Sequence, residues 1–160
     1  HVAGRGSIGG FVATLSETIR SEMLDATRAR DNVRRDTLRL LVAAVENGRI
    51  DAGHELSDDE TLRVLQKEAK QRRESIEEYR KGNREDLVQQ EQQELEIIQT
   101  YLPEQLSEDE VRRLVEETIS EVGATGADDL RNVMGPLMKK LEGRADGRVA
   151  NAIVRELLSD

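Results

Sequence analysis

The sequence predicts an all-α fold: an N-terminal helical domain with a long antiparallel helical hairpin, followed by a small C-terminal three-helix bundle. Three observations predict it. Apolar residues recur three and four apart along nearly the whole chain. Three of these periodic segments open on a Ser/Thr-x-x-Glu capping signature. The two-residue alternation of half-buried strands is almost absent.

Residues 1–12 read as a disordered terminus or a tag remnant, with four glycines in the first ten positions and no initiator Met. The first helix starts at Thr14, whose hydroxyl can cap it with Glu17 as the reciprocal acid. Leu15, Ile19, Met23 and Leu24 form its apolar side, and it ends near 27–30. The second helix runs from Asp31 or Asn32 to Ile50. Val33, Leu38, Leu41, Val42, Val45 and Ile50 recur at helical spacing, and Leu40, Ala43 and Ala44 widen the stripe.

Ser57 and Glu60 open the third helix. Its stripe of Leu62, Leu65, Ala69, Ile76 and Tyr79 is narrow and the rest is charged, which reads as a hairpin arm mostly in water. Gly82-Asn83 breaks it. The fourth helix, from about 84 to 100, turns Leu87, Val88, Leu95, Ile98 and Tyr101 inward. The short connection makes helices three and four antiparallel neighbours.

Tyr101-Leu102-Pro103 marks the domain boundary, because proline disfavours helix in the residue before it. The domains are therefore 13–102 and 103–160. Ser107 and Glu110 restart a helix carrying Val111, Leu114, Val115, Ile119 and Val122, ended by Gly123. The sixth helix covers about 127–141, and Pro136 predicts a kink or a restart near Met134. Asp146 caps a last helix over about 147–158, with Val149, Ile153, Val154 and Leu157 facing the bundle.

Composition excludes several chemistries. The 160-residue chain has no cysteine, so disulfides, Cys-ligated zinc and thiol catalysis are out. That lack of cysteine predicts a cytoplasmic location. No apolar run is long enough for a membrane helix, so no membrane role is expected. The two histidines, His1 and His54, stand apart in a terminus and a Gly-containing connection, so neither a metal site nor a catalytic triad is expected. No Gly-rich loop ends in Lys-Ser or Lys-Thr, which leaves no phosphate-binding loop and no cofactor expected. No catalytic residues are assigned.

The net charge of −9 argues against a protein coated by nucleic acid but allows a local basic face. Basic residues cluster at Arg28, Arg30, Arg34, Arg35 and Arg39, along the hairpin arm, and around the last interhelix turn. Such residues suit phosphates, although charged helices more usually carry them as a solvated face of mixed charge. With 2% aromatic residues the chain lacks stacking platforms, so any RNA contact would read shape and backbone. The most specific local feature is Gly143-Arg144-Ala145-Asp146-Gly147-Arg148. It reads as a tight helix–helix turn, or as a turn offering free amides and two arginines to an anion.

An ordered series of motifs resembles the GatB/YqeY family, in particular its stand-alone YqeY-like proteins. The series includes Leu38-Arg39-Leu40-Leu41, Glu68-Ala69-Lys70-Gln71-Arg72-Arg73-Glu74-Ser75, Gly82-Asn83-Arg84-Glu85-Asp86-Leu87 and Tyr101-Leu102-Pro103-Glu104-Gln105-Leu106. It continues with Val133-Met134-Gly135, Met138, Gly143-Arg144-Ala145-Asp146-Gly147, Val149, Asn151 and Leu157. The resemblance runs from about Leu15 to the C-terminus. It implies an all-helical fold whose last part is similar to the tail of the B subunit of tRNA-dependent amidotransferases. It also implies a family link to carbon–nitrogen ligation with glutamine as amido-N donor, although this chain shows no ATP site or amidase nucleophile of its own.

Two functions are therefore expected as alternatives. The first is an accessory module that binds tRNA or a tRNA-bound enzyme through Lys139, Lys140, Arg144, Gly147 and Arg148. Lys67, Lys70, Arg72 and Arg73 then form a second basic surface. The other is a protein–protein interaction adaptor with no RNA role, using the hairpin arm or an apolar groove.

Overall fold

The computed structural model describes residues 7–8 and 11–159. Among them the fold is all-α, apart from a minimal ladder in which β1 (Ser7–Ile8) pairs antiparallel with β2 (Phe11–Val12). Of the stretch 1–12, read from the sequence as a disordered terminus or tag remnant, only these four residues are described; the rest lies outside the described residues. Seven helices follow: α1 (Leu15–Arg28), α2 (Asn32–Ala52), α3 (Asp58–Lys81), α4 (Glu85–Gln99), α5 (Glu108–Val122), α6 (Leu130–Leu141) and α7 (Gly147–Leu158). The chain divides into two compact units, His1–Leu102 and Pro103–Asp160.

Helix starts in the first unit follow local chemistry. The Thr14 and Ser57 hydroxyls accept from the amides of Glu17 and Glu60, and both glutamates reach back to the cap amide. Asp58 does a second job, because its Oδ1 accepts the Leu15 amide at 2.9 Å and ties the start of α1 to the start of α3. Asp31 caps α2 through the Arg34 amide. Gly53 ends it with φ +77°, a left-handed conformation that glycine adopts without a Cβ penalty.

The α3–α4 connection is equally tight, with Asn83 left-handed at φ +56°. Arg72 of α3 pairs with Glu94 of α4, and Ser75 hydrogen-bonds Glu91. Each pair straddles Asn83 symmetrically, so α4 runs back along α3.

The core of the first unit is Leu15, Ile19, Ala26, Leu38, Leu41, Val45, Leu65, Ala69 and Ile98. Three threonines are buried with it or beside it. Thr18 and Thr61 satisfy their hydroxyls on the carbonyl four residues back, and Thr37 is buried in α2. Val33, Leu40 and Ile50, expected to face inward, are 49%, 48% and 63% exposed. Packing against α1, α3 and α4 covers only one side of α2.

In the second unit α5, α6 and α7 each pack on the other two. Val111, Val115, Val133, Leu137, Leu141, Ala150, Ile153, Val154 and Leu158 form the core. Ser107 and Glu110 make the capping box of α5, and Gly123 ends it at φ +70°. Val149 is 42% exposed, against the expectation that it faces the bundle. It lies in the first turn of α7, beyond the stripe set by Ala150, Ile153 and Val154.

The expected kink or restart near Met134 is replaced by one continuous helix through Pro136. Asn132, Gly135 and Pro136 are all on the exposed side of α6. The carbonyl that loses its donor to proline, that of Asn132, therefore belongs to the face water can reach.

Candidate functional site

The α6–α7 turn gathers most of the expected contact residues. Glu142 and Gly143 are both left-handed, at φ +50° and +74°. The Arg144 amide then donates to the Leu141 carbonyl at 2.8 Å. Asp146 accepts the Arg148 amide at 2.8 Å and opens α7. The turn is also fastened to the start of its own unit. The Leu106 amide donates to the Arg144 carbonyl at 2.8 Å, and Arg144 Nε donates to the Glu104 carbonyl at 2.9 Å.

The five residues differ in what they can offer. Lys139 is exposed and makes no ion pair among the described residues. Arg148 is exposed, with its guanidinium 3.5 Å from the Asp146 carboxylate. Arg144 spends its Nε–H on the Glu104 carbonyl and makes no ion pair among the described residues.

Lys140 turns away, toward α5, where its ammonium lies 2.5 Å from Glu121 and 3.4 Å from Glu117. The hydrogen bond to Glu121 holds its pKa above the usual lysine value. At Gly147 an added Cβ would sit 3.4 Å from Met138 Cε, an ordinary contact, so packing within the unit does not demand glycine there.

The second basic surface is not assembled as expected. Lys67 and Lys70 are exposed, but Arg72 is buried, only 9% exposed. Its Nη1 donates to Glu68 Oε1 at 2.6 Å and its Nε to Glu94 Oε1 at 3.2 Å. Burial works to lower its pKa, and the two carboxylates outweigh it, so the net direction is upward. Arg73 also turns two guanidinium nitrogens, Nε and Nη1, into the interior without hydrogen-bond partners. The cause is register: 69, 72, 73 and 76 share the side of α3 that faces α4, so a run of basic letters wraps onto both sides of the helix.

A further cluster escaped the sequence reading. Tyr101 donates its hydroxyl to Glu22, and Arg34 Nη2 reaches both Glu22 and the Tyr101 oxygen at 3.2 Å. Burial, reinforced by Glu22, drives the Tyr101 pKa far upward. This cluster anchors the end of the first unit to α1 and α2. Nothing periodic announces it, since its members are 12 and 67 residues apart. Tyr101→Phe keeps the Glu22–Arg34 pair and removes one donor, so a loss of about 1 kcal/mol is expected in denaturant unfolding. A change within error would show that the hydroxyl contributes nothing to stability.

His54 is exposed, with Nδ1 2.8 Å from the Glu55 carbonyl oxygen. Among the described residues no group of three or more His, Asp or Glu is arranged to hold a metal ion. No helix there is long and apolar enough to cross a membrane.

Comparison with known proteins follows the same outline. A family model described as Yqey-like protein matches residues 16–158. Several relatives share the name Altered inheritance of mitochondria protein 41, mitochondrial. The protein of Vanderwaltozyma polyspora is 39% identical over 85 residues, 52% of this chain and 46% of that protein. That of Lachancea thermotolerans is 39% identical over 92 residues, 57% of this chain and 47% of the relative. That of Pyrenophora tritici-repentis is 29% identical over 143 residues, 88% of this chain and 78% of the relative.

The chain thus spans about half the length of the first two relatives. The cytoplasmic expectation is corrected by these matches, whose names place them in mitochondria. Absence of cysteine says only that no disulfide is built, a condition that several compartments share.

Proposed function

The chain belongs to the YqeY-like protein family, and from that premise we propose that it is a non-catalytic module that binds tRNA, or an enzyme carrying tRNA, through the α6–α7 turn. One observation carries this reading: charge is segregated within the second unit. Residues 131–148 hold five Lys/Arg against Glu142 and Asp146, a balance of +3. Residues 103–130 hold nine Asp/Glu against Arg112 and Arg113, a balance of −7. Lys139, Arg144 and Arg148 are the cations that remain at the turn, Lys139 with no ion pair among the described residues, whereas Lys140 is engaged by α5. The motif here is also the part that resembles the tail of the amidotransferase B subunit. Family-level carbon–nitrogen ligation with glutamine would then belong to a partner enzyme.

A second reading, the protein–protein adaptor, is favoured by a different observation. Met138 and Val149, 41% and 42% exposed, border the same turn and offer an apolar contact that phosphate would not use. The readings separate on salt. Phosphate contacts release counterions, so tRNA affinity should fall steeply between low and physiological salt.

Total tRNA titrated into the purified chain across a salt series, with duplex DNA as control, is expected to bind in preference to the DNA. The double variant Lys139→Glu/Arg148→Glu should bind about tenfold or more weakly with unchanged helicity. Equal affinity of variant and parent would remove the turn from the site. Absence of tRNA binding at low salt would move the assignment to the adaptor.

A further inference from the structure

Helix α2 has two apolar faces, and only one of them is covered. Leu38, Leu41 and Val45 go into the core. On the opposite side Val33, Asp36, Leu40, Ala43, Asn47 and Ile50 are all exposed, spaced alternately three and four apart. That is the spacing of a coiled-coil seam, three and a half residues per repeat. We infer that a second copy of this chain covers the face, with α2 against antiparallel α2 about a two-fold axis near Leu41-Val42.

The occupant follows from what the face offers when it meets itself. In the antiparallel register Val33 lies against Ile50 of the second copy, closing each end of the seam with two branched apolar side chains. Leu40 lies against Ala43 of the second copy, a large residue against a small one. Asp36 lies against Asn47 of the second copy, so a carboxylate accepts from an amide. Arg39 flanks Glu46 of the second copy, and the symmetry makes that opposite-charge pair twice.

Both charges reach solvent: the Arg39 side chain is 58% exposed, with only a 3.9 Å contact to Asp36, and the Glu46 side chain is 42% exposed, with one carboxylate oxygen taken by Arg49, so Arg39 of the second copy would add to that pair. The parallel in-register arrangement fails on the same residues, because it sets Asp36 on Asp36 and Arg39 on Arg39. A single helix pair lies at the small end of stable interfaces, so the dimer forms with rising concentration and not at trace levels. The face belongs to the first unit, and the α6–α7 turn belongs to the second.

Sedimentation velocity on the full chain, from about 1 μM to about 1 mM, tests this. The mass is expected to rise from 18.0 kDa toward twice that value. Arg39→Glu and Glu46→Arg should each weaken the dimer about fivefold, since each turns two attractions into two repulsions. The double variant Arg39→Glu/Glu46→Arg should return close to the parent affinity. Leu40→Asp, at an exposed position that folding does not depend on, should leave a monomer with unchanged helicity. A parent that stays monomeric throughout overturns the inference, even if another protein binds the face. A dimer indifferent to Leu40→Asp overturns it too, as does a double variant that fails to recover.

Discussion

Leu137→Ala should destabilise the second unit by about 2–5 kcal/mol, the cost of emptying a fully buried leucine site in a core that relaxes only in part. Leu137 is 0% exposed and sits on α6 among the side chains of all three helices of this bundle. The unit, Pro103–Asp160, is small, and small domains bury a lower share of their surface on folding. A loss of this size is a large part of what such a bundle has.

Hydrogen exchange is the informative measurement. Amides of α5, α6 and α7 should lose protection strongly while those of α1 and α2 keep theirs. The tRNA affinity proposed for the α6–α7 turn should fall with that protection. Protection unchanged in α5 and α7 would mean that the α6 seam is not what holds the bundle together.

Arg72→Ala should cost the first unit about 2–4 kcal/mol, for an electrostatic and not a packing reason. The guanidinium is shared by Glu68 and Glu94, whose side chains are only 18% and 15% exposed. Removing it leaves two poorly hydrated carboxylates facing each other across the α3–α4 hairpin. Glu91 is close by, its carboxyl already held above the usual range by burial and by Glu94.

The triple variant Arg72→Met/Glu68→Gln/Glu94→Gln removes the charges together and should recover most of the loss, because an isolated buried charge costs more than a missing ion pair. Urea unfolding of parent, single and triple variants reads both effects. A single variant within about 0.5 kcal/mol of the parent would show that water reaches these carboxylates after all.

The helices were legible because their signals are local. Thr14 with Glu17, Ser57 with Glu60 and Ser107 with Glu110 each close a capping box within four residues, and the structure contains all three. Apolar spacing placed Leu38, Leu41, Leu65, Val115 and Ile153 in cores for the same reason, since one turn of helix sets which side chains share a face. The candidate turn was legible in part. Gly143 and Asp146 are needed for its backbone, and the letters say so. That Lys140 leaves the turn for Glu117 and Glu121 depends on α5, some twenty residues away in sequence.

By itself, then, the sequence determined the all-helical class, where the capped helices begin, and which family series the chain carries, because capping, periodicity and turn chemistry act over a few residues. Tertiary structure alone decided which cations face water. Arg72 and Lys67 are five residues apart on one helix, yet one is enclosed by Glu68 and Glu94 and the other is exposed. It also decided that Leu40 and Ile50 stay outside while Thr37 goes in. Burial is a property of what packs against a face, and the helices that pack against α2 come from distant parts of the chain.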